Sequence, residues 1–329
     1  MSGIAGNLAW LAVGRQSAKG TAAATPIAKH PLTSGTISPK RPIERLEETD
    51  ASRDQGVAYV QSYGAEGSPE FYARDDSSVI HLLAALGAIS TTGATNFVHT
   101  ITPANALPYM TLWRDIGGGV LKEAAKNCLY NSLTIKGEAG GALTMTADIQ
   151  GTLVTQVSTY PGAMPANPES DAPFYYQQGA ITLGGGTSRQ LKSFELSINN
   201  NVTQQLTDDL EPLDIVPGKR EVSLSFDYIF EDLAEYNKFH YGGDSPSLPA
   251  AQASSLYETA AVLTFTQGVN NEISLSVPHL TYEEFPIEPD AGGGPIEVSA
   301  RGTANRNTTD PVVTAVVKNQ SAGTVYAAS

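Results

Sequence analysis

Strict alternation of apolar and polar residues is the pattern that most constrains this chain. From Val222 the apolar residues Val222, Leu224, Phe226, Tyr228 and Phe230 are interleaved with Ser223, Ser225 and Asp227. Phe194, Leu196 and Ile198 alternate with Ser193, Glu195, Ser197 and Asn199. Leu143, Met145, Ala147 and Ile149 alternate with Thr144, Thr146, Asp148 and Gln150, and Ile273, Leu275 and Val277 with Glu272, Ser274 and Ser276. Successive side chains of a strand point to opposite faces, so each segment turns one face to a core and the other to water or a polar channel. Such segments, repeated along one chain, predict a mainly β fold: two packed antiparallel sheets, as a sandwich or barrel.

Turn chemistry divides the strands. Asn199-Asn200-Asn201 tolerates left-handed backbone and offers side-chain bonds to the main chain. The glycine runs at 117–119, 184–186 and 292–294 mark loops. Residues 160–173, with Pro161, Pro165, Pro168 and Pro173, form a long proline-rich loop that cannot pair as a central strand. Two helices interrupt the pattern. Asp75 and Asp76 can cap a segment in which Val79, Leu82, Leu83 and Leu86 recur at helical spacing, with Gly87 as its stop. A second is predicted from Glu231 to His240, with acids at its positive end and a stripe of Leu233, Tyr236 and Phe239. The chain is expected to form one domain over 1–329. Within it, 1–33 is expected as an N-terminal arm, and the strands in 296–329 either complete the domain or lie peripheral to it.

Charged residues are only 16% of the chain, against about 25% in an ordinary soluble domain. That scarcity suggests that much surface is covered, either internally or by neighbouring subunits. The net charge of −14 argues against affinity for nucleic-acid phosphates or anionic membranes, yet it suits a protein that must contain nucleic acid without binding it. One cysteine, Cys128, excludes an intrachain disulfide framework, fits a reducing cytoplasm and reads as a packing residue. The apolar run from Leu8 to Val13 is too short for a secretory signal, and no segment approaches the ~20 apolar residues of a membrane helix. The Asn201, Asn307 and Asn319 sequons are therefore read as incidental.

Catalytic chemistry finds no footing. The histidines His30, His81, His99, His240 and His279 form no HExxH pair and no ligand spacing with Cys128, and His81 reads as a packing histidine. There is no GxSxG elbow, and Gly218-Lys219 lacks the rest of a phosphate loop. Asp208, Asp209, Glu211 and Asp214 read as solvated loop charge rather than a glycosidase pair. Asp290 before Gly292 lacks the spacing of a calcium loop. No catalytic residue, cofactor or metal is expected.

Taken in order, several segments resemble the major tail protein of siphophages, the phage tail tube family. The opening Leu11-Ala12-Val13-Gly14-Arg15-Gln16-Ser17-Ala18-Lys19-Gly20-Thr21-Ala22 is similar to that family's first segment, with Gln16 where an acid is common. Ser34–Pro39 and the Arg53–Tyr63 stretch resemble its early strand and hairpin, and Leu82–Gly87 its short helix. Cys128–Ile135 with Gly140–Asp148 resembles a tube strand pair, Lys192–Val202 a recurrent Phe-x-Leu-x-Ile-Asn-Asn strand, and Pro217–Leu224 the strand entry after it.

The resemblance implies homohexameric rings stacked into a tube, with two packed sheets, a flanking helix and a long lumen hairpin in each subunit. It implies the tape measure, tail terminator and distal tail proteins as partners, and phage DNA passing through without specific binding. It places the protein in the virion tail, assembled in the host cytoplasm without a membrane. Thr144, Thr146, Asp148, Ser193, Glu195 and Ser197 are expected to line the lumen, an outer solvated face being the competing reading. Arg41, Glu44, Arg45, Glu47, Glu48 and Arg53, with Asp50, are expected at ring-to-ring contacts. Another β-rich ring of the tail (distal tail or terminator) and a carbohydrate-binding sandwich using Phe174-Tyr175-Tyr176 are the alternatives.

Overall fold

The computed structural model describes residues 6–48, 54–165, 172–184, 187–188, 191–248, 250–287 and 292–329. Its first strands are β1 (Trp10–Arg15), β2 (Ala28–His30), β3 (Ile37–Lys40), β4 (Ile43–Arg45), β5 (Ala58–Val60), β6 (Gly64–Gly67) and β7 (Glu70–Tyr72). Helix α1 (Ser77–Leu86) leads to β8 (Gly87–Thr92), β9 (Phe97–Pro103), β10 (Met110–Ile116), β11 (Leu121–Glu138), β12 (Thr144–Gly151) and β13 (Leu153–Gln156). Then come β14 (Gly179–Leu183), β15 (Thr187–Ser188), β16 (Leu191–Asn199), β17 (Thr203–Gln205), β18 (Asp214–Val216) and β19 (Glu221–Ile229). Helix α2 (Ala234–Tyr241) precedes β20 (Glu258–Gln267), β21 (Asn271–Glu284), β22 (Glu297–Ala304) and β23 (Thr314–Asn319).

Every strand pairing is antiparallel, and two long strands serve more than one sheet. The second half of β11 pairs with β12 on one side and β16 on the other, and the sheet continues through β19 and β22 to the end of β21. The first half of β11 instead joins β10 and β13, in a sheet that runs on to β1 and β2. Along β21 one neighbour is kept and the other changes: β20 pairs with it from Asn271 to Thr281, while β23 flanks its first half and β22 its end; β23 extends to β9 and β8, and β20 to β14. Register shifts between Tyr130 and Ser132, and between Tyr282 and Glu284, mark bulges of the kind that let a strand bend.

The alternation read from sequence is kept residue by residue. In β12, from Phe194 to Asn199 of β16 and from Val222 to Tyr228 of β19, each apolar position is buried and each polar neighbour half-exposed. Phe194, Leu196, Ile198, Leu224, Phe226, Met145 and Ile149 enter one hydrophobic core with Leu263, Phe265, Leu275 and Val317. Removing such side chains from water is the main stabilising term, about 1.5–3 kcal/mol for each large one. Helix α1 lies inside that core, against β11, β9, β8, β2 and β23, with all ten of its residues buried. Gly87 ends it at φ +108, its N–H donating to the Leu83 carbonyl. Asp76 makes no side-chain cap; the Ser78 hydroxyl instead takes the Arg74 N–H at 3.1 Å.

The ends of the chain are woven into the sheets. Residues expected in the N-terminal arm include β1 and β2, with Leu11, Ala12 and Val13 wholly buried. β1 is covered on both faces, so its sequence shows no alternation. Tyr160 and Met164, at the start of the proline-rich loop, pack with Trp10 and Trp113 on the outer side of that sheet; residues 166–171 lie outside the described ones. β22 and β23 pair on both sides, and the Ser329 N–H donates to the Arg15 carbonyl at 3.2 Å. Asn319 joins this region to α1: its amide donates to the Asp75 carbonyl and Tyr326 hydroxyl, while its Oδ1 faces His99 Nε2 at 2.9 Å.

Helix α2 begins later than predicted; Tyr236 and Phe239 of the expected stripe pack against the core, but the most buried positions are others. Leu233 is exposed, whereas Glu235 and Lys238 are among the most buried charged residues of the chain. They pair with each other at 2.7 Å, and the Tyr282 hydroxyl donates to the second oxygen of Glu235 at 2.7 Å. Hydrophobic periodicity cannot show an ion pair that is completed by a side chain 47 positions away.

Candidate lumen face and subunit-contact surfaces

The six positions expected at a lumen fall on one face of one sheet. Residues directly opposite in an antiparallel pair share a face, so the register assembles rows across β12, β11, β16, β19 and β22. One row is Thr146, Thr134, Ser197, Ser223 and Thr303; the next is Thr144, Lys136, Glu195, Ser225 and Arg301. A third holds Glu138, Ser193, Asp227 and Ser299, and a fourth Asp148, Ser132, Asn199 and Glu221. The rows span four inter-strand steps, roughly 19 Å at about 4.8 Å each. Part of the face forms a shallow open trough lined by Lys136, Glu195, Asp227 and Arg301.

Short hydroxyl side chains and partnered charges make this surface smooth. Asp227 accepts from Ser193 at 2.5 Å and from Ser299 at 2.6 Å. Asp148 accepts from Asn131 at 2.6 Å, and Lys136 pairs with Glu195 at 2.8 Å. In these rows the carboxylates Asp148, Glu138, Glu195, Glu221 and Asp227, with Glu70 opposite Thr146, outnumber the cations Lys136 and Arg301, so the field over the rows is acidic. The expected set omitted the β11, β19 and β22 members. The alternation of Ser223, Ser225 and Asp227 was the visible signal for one of these strands.

Of the residues expected at ring-to-ring contacts, the described ones lie on the hairpin that joins β3 to β6. β3 and β6 pair from Ile37↔Gly67 to Lys40↔Gly64, which carries them past Gly151, the end of β12. The ladder continues through the Gln61 N–H to the Pro42 carbonyl and into β4 and β5. On this arm Arg41, Glu44, Arg45, Glu47 and Glu48 are all exposed; Asp50 and Arg53 lie outside the described residues. Glu44 accepts from the Tyr59 hydroxyl at 2.8 Å, and Arg45 donates to the Gly56 carbonyl at 3.3 Å. Ile43 is 60% and Val57 75% exposed, with Leu46 and Tyr59 beside them. A narrow ribbon that shows its apolar side chains to water is the form of a surface meant to be covered.

Other polar groups have structural settings. His81 Nδ1 meets the Tyr130 hydroxyl at 2.7 Å, and its Nε2 meets His30 Nε2 at 2.9 Å, in a wholly buried cluster with Phe71. Burial, helped by the charge of Arg74, pushes His30 down to about 3; burial and then His30 hold His81 well below its usual value. Cys128 is buried and its thiol pushed up by desolvation. Glu211 and Asp214, read as solvated charge, are in fact engaged: Thr152 donates to Glu211, and Tyr109 and Lys19 reach Asp214. Phe174 is buried and Tyr176 nearly so, leaving Tyr175 alone exposed in that run, which removes the stacking platform a sugar-binding site needs. Among the described residues no group of three or more His, Cys, Asp or Glu side chains could hold a metal ion; Asp290 lies outside them. Nor is any described helix long and apolar enough to cross a membrane.

A family model described as phage tail tube protein matches residues 6–304. The chain belongs to that family. No curated protein matches it significantly. It is a β-rich structural subunit of a phage tail tube, a component of the virion tail that assembles with copies of itself and with other tail proteins. The match covers β1 through β22, and β23 pairs directly with β21 inside the same sheet.

Proposed function

We propose that this subunit forms hexameric rings stacked into a tube, with the face of β12, β11, β16, β19 and β22 turned to the lumen, where it conducts DNA during ejection. The observation that carries this reading is the continuity of that face. All six expected positions share it, and its hydroxyls and carboxylates outnumber its cations, Lys136 and Arg301, in these rows. A duplex with one negative charge per about 1.7 Å is repelled by such a wall and gains nothing by releasing counterions to it. The opposite faces of these strands are buried in the core, so the polar face is the one left for solvent.

The arm from Ile37 to Gly67 then joins one subunit to another, and the remaining tail partners are the tape measure, terminator and distal tail proteins. Assembly takes place in the host cytoplasm, and the subunit carries no catalytic role. Contacts of this kind are heterologous, so they close into rings and also propagate as a stack. Negative-stain electron microscopy of the concentrated protein should show tubes of uniform diameter; persistent monomers across salt and concentration would overturn the proposal. Glu195→Lys with Asp148→Lys should slow ejection from assembled virions, and unchanged ejection would remove the lumen assignment while leaving the tube.

A further inference from the structure

At the same end of the polar sheet as the arm, but across its width, lies a second trough. It is lined by Pro103 at the end of β9 and Asn105 after it, Lys219 before β19, Arg306 after β22, and Pro311 and Val312 before β23. The exposed side chains of Lys219 and Arg306 form no ion pair among the described residues, in a molecule whose net charge is −14. Arg220 beside them is half-buried and already committed, donating to the Ala104 and Leu86 carbonyls and to Asn200. Of the nearby acids, Asp310 is held by His279 at 3.1 Å, which leaves Glu221. Toward the outer end of the arm's described residues the balance is opposite: Glu47 and Glu48 are exposed and unpaired among the described residues, beside the exposed Leu46 and Val57, while Arg45 donates to the Gly56 carbonyl.

We infer that the acidic outer end of the arm of one copy docks in the Lys219–Arg306 trough of another. This rests on reading the arm as a contact between subunits, and names the surface it meets. Two subunits of like net charge repel, so a stable contact between them needs a local patch of the other sign, and this trough supplies one. Leu46 and Val57 would lie on Pro103, Pro311 and Val312, taking apolar surface on both sides out of water. The base of the arm and the trough sit on different strands of the sheet, so the trough is assigned the arm of a neighbouring copy. From Lys40 to Leu46 the arm extends roughly 20 Å along the line of β3 and β6, whereas its own trough lies sideways across β12, β11 and β16. Each copy therefore gives one arm and one trough, a contact that leaves both ends of any chain of subunits able to grow.

Cysteine cross-linking tests the pairing directly, because Cys128 is buried and silent. A mixture of Glu48→Cys and Arg306→Cys subunits, oxidised during assembly, should give disulfide-linked dimers, and each variant alone should give none. Independently, Lys219→Glu with Arg306→Glu should raise the protein concentration needed for assembly by about tenfold, as should Glu47→Lys with Glu48→Lys; the four changes together should recover most of that loss. Circular dichroism and thermal melting of each variant separate misfolding from lost contact. If the wild type forms tubes, yet no cross-link appears and the fourfold variant assembles no better than either double variant, the docking is wrong and the tube reading stands. If the wild type never polymerises, both fall.

Discussion

Acidifying the solution from about pH 7.5 to about pH 5 should destabilise the isolated subunit through its buried histidine pair. His30 stands wholly buried between Phe71 and His81, with the charge of Arg74 near it, and is pushed down to about 3 from its ordinary 6.5. Between those values the unfolded chain binds a proton that the folded chain refuses. Stability is therefore complete above pH 6.5 and is lost as the pH falls from 6.5 toward 3. At about 1.36 kcal/mol per unit, the first 1.5 units below 6.5 cost roughly 2 kcal/mol for His30 alone. His81, shifted in the same direction, adds to the loss. The assay is urea unfolding at both pH values, at concentrations where the protein is monomeric, for the wild type and for His30→Gln. Surface carboxylates titrate alike in both proteins, so their effect cancels in the comparison. The variant should lose about 2 kcal/mol less on acidification than the wild type. Equal losses would show that His30 is hydrated in the native state and refute the reasoning.

Three further outcomes follow from packing. Lys238→Met should cost about 3–5 kcal/mol by leaving Glu235 buried without its cation, while Lys238→Met with Glu235→Leu should be far milder; denaturant midpoints compare them. Gly151→Ala places a methyl group 2.7 Å from Cys128 Sγ and 3.0 Å from the Ala65 side chain, and should lower the melting temperature through overpacking worth about 1–3 kcal/mol. Val269→Asp, at a turn where the side chain is 96% exposed, should change unfolding free energy by less than about 0.5 kcal/mol.

Much of the fold was legible wherever one strand face meets the core and the other meets a polar medium. The Val222 pattern became β19, the Phe194 pattern β16 and the Ile273 pattern the first half of β21. Asn201, read as a left-handed turn residue, has φ +47. Where a strand is covered on both sides the signal vanishes: Leu8 to Val13 reads as a short apolar run, and its pairing with Met110–Ile116 and Ala28–His30 shows Trp10–Arg15 to be a sheet strand. The shared roles of β11 and β21 were hidden too, because a strand that changes sheets differs from one that does not only in its distant partners. The lumen candidates came from two strands with clean alternation. Lys136 and Arg301, the cations that temper the face, sit on strands whose polar positions carry mixed side chains.

β11 and β21 also bear on how a tube withstands force. Bending or stretching the tube loads every subunit, and a subunit built from separable sheets would yield at the seam between them. Here the seams are crossed by continuous backbone: eighteen residues in β11 and fourteen in β21. To slide one sheet over the next, the ladders on both edges of these strands must shear together, against many hydrogen bonds at once. Compliance is thereby displaced from the interior of the subunit to the joints between subunits, where arms and loops can shift while each wall segment keeps its shape.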